Sequence, residues 1–207
     1  MPKLRVHNVT ISLDGYVTGL HQREDAPFGD GNGGHLHDWL LATKTFGGPL
    51  DGLDDEVIAQ GEDNVGATVM GRNMFGPIRG AWPNHDWTGW WGPNPPYHHD
   101  VFVLTHHGRP SVPMEGGTTF HFVTDGLESA LGQAFKAADG KDVRVGGGAD
   151  VIRQCLRAGL VDSMHIVQVP LFLGAGERLF GDLPMDGYRV TRTVTTEPCT
   201  HLWIERA

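Results

Sequence analysis

The sequence predicts an α/β domain built on a mostly parallel sheet with an antiparallel C-terminal hairpin. Three observations carry that prediction. Apolar, strand-like runs alternate with helical patterns through most of the chain. Two of those runs end in glycine just before a helical segment, in VMGRNMF (69–75) and VRVGGGADVI (143–152). The C-terminal part reads instead as successive strands over 165–173, 188–196 and 200–206, and Glu197-Pro198-Cys199 joins the last two as a hairpin turn would.

Taken in order, residues 4–13 alternate as a strand and Asp14-Gly15 ends it. A glycine-rich loop (29–34) precedes a short helical piece at 38–42. Asp54-Asp55-Glu56 puts acids where a helix N-terminus favours them. Residues 67–70 and VFVLT (101–105) are continuous apolar runs, as expected of strands covered on both faces. After a strand at 118–123, Asp125 and Glu128 are spaced as a capping box. Leu127, Ala130, Leu131, Ala134, Phe135 and Ala138 then follow the spacing of one helix face, which Gly140 closes. A strand at 143–145 leads through Gly146-Gly147-Gly148 into a helix with Val151, Ile152, Cys155 and Leu156 turned inward, and Gly159 ends it. The segment 77–100 holds Trp82, Trp87, Trp90, Trp91 and Tyr97 among Pro, Gly and His. So aromatic a stretch predicts an ordered loop, lying over a site or a subunit interface.

Composition narrows the function. The 207 residues suit one domain spanning 1–207. A net charge of −9, with no Lys/Arg run, argues against nucleic acid as a partner. No apolar stretch reaches membrane-spanning length and the N-terminus lacks a signal-peptide pattern, so a cytoplasmic protein is expected. Two cysteines, Cys155 and Cys199, make neither a disulfide framework nor a zinc site. The pairs His35/His37, His98/His99 and His106/His107 lack the spacing of a ligand set, so no metal is expected.

The two glycine turns have the design of a phosphate cradle: glycine admits close backbone approach, and helix-start N–H groups favour an anion. Arg72 adds a cation able to bind an anion through two bonds. Tight helix–strand packing is the alternative reading of Gly146–148. Neither turn fits the Rossmann fingerprint or the P-loop, since Val151 stands where a third glycine belongs and no Gly-Lys-Ser/Thr follows.

The blocks SLDGYVTG (12–19), VMGRNMF (69–75), VRVGGGADVIRQCL (143–156) and GLVDSMHIVQVPLFLGAGERLF (159–180) resemble, in order and over nearly the whole chain, the reductase domain of bacterial riboflavin biosynthesis. That domain is a member of the dihydrofolate-reductase-like superfamily. The resemblance implies a three-layer αβα domain using NADPH. Gly71 and Arg72 would lie along the cofactor phosphates. Thr105, His106, His107 and Arg109 would lie near the adenosine and its 2′-phosphate. Gly146, Gly147, Gly148, Ala149, Asp150 and Val151 would cradle the pyrophosphate, at a glycine pair that often carries an unusual peptide bond. Ser12, Asp14 and Gly15 would border the nicotinamide. The chain lacks the zinc-binding Cys and His set of the family's deaminase, and its Trp-rich segment resembles stand-alone members, which leaves the substrate open.

The expectation is therefore an NADPH-dependent reductase acting on a C=N or C=O bond of a small, heterocyclic, pteridine-, folate- or ribosylated-pyrimidine-like substrate. Two alternatives stand beside it: a non-catalytic nucleotide-binding protein, and a flavin- or deazaflavin-using relative. Asp14 is the candidate proton relay, although capping the turn before Gly15 suits it equally. Asp38, Trp39, Phe75 and Trp82 are the substrate-side candidates. The tryptophans either stack a flat heterocycle or form a homodimer contact.

Overall fold

The computed structural model describes residues 1–183 and 185–207. In chain order the elements are β1 (Leu4–Ile11), β2 (Tyr16–Thr18), α1 (Asp38–Leu41), α2 (Leu53–Glu62), β3 (Val65–Gly71), α3 (Arg72–Phe75) and β4 (Asp100–Leu104). They continue with β5 (Val112–Pro113), β6 (Thr119–Val123), α4 (Leu127–Ala137), β7 (Asp142–Gly147), α5 (Ala149–Arg157), β8 (Ser163–Gln168), β9 (Glu177–Arg178), β10 (Tyr188–Thr195) and β11 (Thr200–Arg206). The fold is α/β: a mixed, mostly parallel sheet with helices on both sides and an antiparallel C-terminal hairpin. The chain divides into two compact units, residues 1–5 with 64–160 and residues 6–63 with 161–207.

The first unit holds the strand order β7-β3-β4-β6-β5. β3 lies parallel to both β7 and β4, β4 lies parallel to β6, and the short β5 returns antiparallel. The apolar runs are inside as expected: Val69, Val101, Val103, Val143 and Val145 are fully buried. The start of β1 joins β7, where Lys3 O accepts from Val143 N at 2.9 Å and the Asp142 carboxylate takes the Arg5 guanidinium at 3.4 Å. On α4 the buried residues are Ala130, Leu131 and Ala134, the face that the spacing marks. The capping box does not form. Gly126, at φ +92°, is the cap residue and its carbonyl accepts from Ala130 N, while the Asp125 carboxylate turns back to the Thr124 hydroxyl.

Residues 77–99 contain no helix or strand, yet their aromatics are built into the core. The Trp87 indole N–H donates to Phe75 O, and Trp91 stacks on Phe120 at 5.8 Å and meets Tyr97 edge-on. Phe75 is fully buried, with Phe120 and Phe122 each 5.1 Å away, ring centre to ring centre. Phe75 is thus a core residue of this unit and not a substrate-facing one. Its short helix α3 follows β3 directly, and burying an aromatic at its end is what keeps so short a helix in place.

The second unit holds the order β10-β11-β8-β1, with β10–β11 a hairpin and β8 antiparallel to β11. Thr196 N donating to Cys199 O closes the hairpin turn. β8 ends at Gln168, earlier than the sequence suggests, because Pro170 has no N–H to give a ladder. Its core contains Leu36, Trp39, Val57, Val167, Val169 and Cys199. Trp39 is 3% exposed and its indole N–H donates to the Thr10 hydroxyl at 3.0 Å, so it too belongs to the core and presents no ring to a substrate.

A Phe75→Ala substitution is expected to lower unfolding stability by roughly 3–5 kcal/mol, measured by denaturant titration, because it empties a fully packed aromatic site. A loss below about 1 kcal/mol would show that the Trp-rich segment does not depend on this anchor.

Candidate functional site

Three turns of the first unit come together because three adjacent strands, β7, β3 and β4, run parallel and end level. The register pairs Met70 with Gly147 and Gly71 with Leu104. Open α/β sheets bind ligands outside such carboxyl ends.

Gly71 leaves β3 in extended conformation, and a Cβ there would stand 3.0 Å from Val151 Cγ2 and 3.6 Å from Gly148 N. Its bare backbone therefore admits the first turn of α5. Gly147 has φ +117° and the Gly147–Gly148 peptide bond is cis. Gly148 is the cap residue of α5, its carbonyl accepting from Ile152 N. The N–H groups of Ala149, Asp150 and Val151 have no partner within the helix, as at any helix start. The Ala149 and Val151 side chains are buried, whereas the exposed Asp150 carboxylate faces Arg153 at 3.5 Å and Gln154 at 2.7 Å. Gly146 lies inside β7, where a Cβ would press on Thr68 at 3.0 Å, so packing is the role seen for that glycine.

Arg72 heads α3. Its guanidinium lies 3.6 Å from the centre of the Trp82 ring, and its three nitrogens are buried with no hydrogen-bond partner among the described residues. Burial, with Arg79 and Arg109 close by, makes its charged form less favourable. Arg79 donates to Gly76 O. A cation so placed, desolvated and beside two like charges, has unused capacity for an anion.

Arg109 differs from expectation. Its terminal nitrogens donate to Trp87 O at 2.8 Å and His85 O at 2.7 Å, and the guanidinium stands 4.8 Å from the Trp82 ring centre. Those two nitrogens brace the Trp-rich segment, while Arg109 Nε is buried without a hydrogen-bond partner among the described residues. Thr105 is buried and its hydroxyl accepts from His107 N, while His107 O accepts from the Trp82 indole N–H. His106 and His107 are exposed. Trp82 packs against Phe75 and Phe122 on the arginine side, so it supports cations in place of a substrate ring. Arg79 escaped the sequence reading because nothing marks an arginine in a Pro/Gly-rich loop as a site residue.

The second unit holds the remaining candidates. Ser12 is fully buried; its hydroxyl donates to Asp14 Oδ1 at 2.6 Å and accepts from Tyr16 N at 2.9 Å. Asp14 also accepts from Leu173 N at 3.1 Å and Gly174 N at 2.7 Å. Burial would raise its pKa, but the Ser12 hydroxyl and these backbone N–H groups outweigh it and hold the carboxyl at about 2. Asp14 thus braces the turn, with Gly15 at φ +84°. Asp38 is exposed and paired with His35 at 2.8 Å. Among the described residues the adjacent histidine pairs do not gather; the grouping of three metal-competent side chains is Asp54, Cys199 and His201. No helix among them is long and apolar enough to cross a membrane.

The fold is α/β and dihydrofolate-reductase-like, with the glycine turns and Arg72 at its parallel strand ends. The chain belongs to the RibD C-terminal domain family, whose model matches residues 2–202. Among solved structures it is similar to a Shewanella sp. PV-4 protein assigned to riboflavin biosynthesis, with a TM-score of 0.63, 23% identity and 99% of each chain covered. It is also similar to the Thermotoga maritima diaminohydroxyphosphoribosylaminopyrimidine deaminase/5-amino-6-(5-phosphoribosylamino)uracil reductase, with a TM-score of 0.59 and 13% identity, all of this chain spanning 57% of that one. Enterococcus faecalis dihydrofolate reductase complexed with NADP(H) gives a TM-score of 0.51 at 16% identity, covering 99% of this chain and 95% of that one. No curated protein matches the sequence.

The Asp14 carboxyl, held at about 2 against an ordinary 3.8, contributes stability above pH 3.8 and loses it as pH falls toward about 2. The wild type is therefore expected to exceed Asp14→Asn in urea midpoint at pH 6, the gap closing between 3.8 and about 2. A gap unchanged by pH would contradict the assignment.

Proposed function

We propose that this chain is an NADPH-dependent reductase delivering hydride to a C=N or C=O bond of a small heterocyclic substrate. The observation that carries the reading is the Arg72 guanidinium, buried and without a hydrogen-bond partner beside the glycine turns at Gly71 and Gly147-Gly148. Membership of the RibD C-terminal domain family supports it. Arg72 would take a phosphate of the dinucleotide, and the N–H groups opening α5 would take its pyrophosphate. NADPH supplies the hydride; the protein's part is to hold the cofactor and exclude water. Trp82 keeps the Arg72 plane fixed, and Arg109 holds Trp82's loop in place.

Asp14 cannot give a proton near neutral pH, so solvent or the substrate's own groups complete the reduction. The same observation favours a second reading, a nucleotide-binding protein without turnover. Steady NADPH oxidation with any pteridine, folate or ribosylated pyrimidine would exclude that reading.

Titration of intrinsic tryptophan and cofactor fluorescence is expected to show NADPH binding more tightly than NADH. Arg72→Ala should weaken NADPH about 10- to 100-fold, the loss of one charge-assisted contact of roughly 1.5–3 kcal/mol. Absence of binding by both cofactors to the folded wild type would overturn the proposal.

A further inference from the structure

The second unit contains a cluster that the reductase reading leaves unused. Asp54, in the first turn of α2, meets Cys199 and His201 from the hairpin strand β11 and the turn before it. His201 Nε2 is 2.9 Å from Asp54 Oδ1, Cys199 Sγ is 3.4 Å from that oxygen, and Cys199 Sγ is 3.4 Å from His201 Nε2. All three residues are buried, at 5%, 3% and 0% exposure. The Thr196 hydroxyl joins them, 2.9 Å from the same Asp54 oxygen and 3.6 Å from Cys199 Sγ.

We infer that Asp54, Cys199 and His201 form a structural site for a divalent transition-metal ion of the zinc class. The three separations approximate the edges of a tetrahedral face: a point about 2 Å from all three donor atoms exists with almost no movement, near the bond lengths zinc makes to O, N and S. The mixed donor set of thiolate, imidazole and carboxylate selects a borderline-soft dication and disfavours calcium or magnesium. The charges also balance. One carboxylate and one thiolate neutralise a dication, so the loaded cluster buries no net charge.

The surroundings suit a ligand histidine. Such a ring carries its proton on the other nitrogen and donates it outward; here His201 Nδ1 faces His165 Nε2 at 3.1 Å. Trp39 stands edge-on to His201 at 5.7 Å and Trp203 lies against His165, which keeps the site dry. Binding exchanges a proton for the ion: the Cys199 thiol proton leaves to solvent as the sulfur–metal bond forms, and neutral His201 holds its one proton on Nδ1. Because the donors are enclosed, the ion enters as the unit folds. There it ties the start of α2 to the β10–β11 turn.

The test uses the full chain, unfolded in denaturant with a chelator and refolded with Co²⁺. Expected is one Co²⁺ per chain with a thiolate-to-cobalt charge-transfer band. Cys155→Ser should keep this band and Cys199→Ser should lose it. If refolded wild type shows native circular dichroism but no thiolate–cobalt band, the site does not exist. A band that disappears in Cys155→Ser equally overturns it, and that comparison stands even where Cys199→Ser fails to fold.

Discussion

Close approach between the end of β3 and the first turn of α5 sets the geometry of the edge at which Gly71, Arg72 and Gly147-Gly148 meet. A single missing Cβ, at Gly71, permits it, since any side chain would meet Val151 at 3.0 Å. With the strands level, the same contact puts Gly147 and Gly148 opposite Met70 and Gly71, and Arg72 is the next residue out. From there α3 makes one turn and buries Phe75, which fixes the direction in which Arg72 leaves the strand. Packing in this unit therefore determines where the cation stands.

Electrostatics then determines what that cation can do. Arg72 has two arginine neighbours and, among the described residues, no acid paired with it, and its charged form is weakened by burial first and by repulsion second. The face of Trp82 offsets part of that cost, by about 0.5–2 kcal/mol for a partly desolvated cation–π contact. A charge-assisted hydrogen bond contributes about 1.5–3 kcal/mol more, so an anion with several oxygens relieves what the indole alone does not. The net charge of −9 works against an anionic ligand only at long range. Screening confines that field to about 8 Å at physiological ionic strength, inside which the local arginines dominate.

Much of this was legible in the residues. The fold class followed from periodicity, because α4 and the VFVLT strand bury the side chains that their spacing marks, and the glycine turns were visible because strand, glycine and helix follow one another in the chain. Side-chain roles were less legible, since they depend on partners far away in sequence. Trp39 beside Asp38 suggested a ligand platform, but Thr10 from a distant strand takes its indole N–H. Arg109 looked free until the carbonyls of His85 and Trp87 claimed it. The capping box failed by one position because Gly126 reaches a positive φ that Asp125 would adopt only at a cost. Asp54 and His201 lie 147 residues apart, a separation at which no local pattern signals contact.

Two carboxylates of the second unit show how the kind of donor limits function. Asp14 and Asp54 are each met by three donors, yet the donors differ. Those of Asp14 are the Ser12 hydroxyl and the backbone N–H groups of Leu173 and Gly174, two of which cannot rotate away or ionise. Such a carboxylate is favoured in its charged form and fixes a loop. Those of Asp54 are side chains, the Thr196 hydroxyl, the Cys199 thiol and the His201 ring, and the thiol can give up its proton in exchange for a cation. The first arrangement can only brace. The second can brace with protons or with a metal ion, using the same atoms at nearly the same separations.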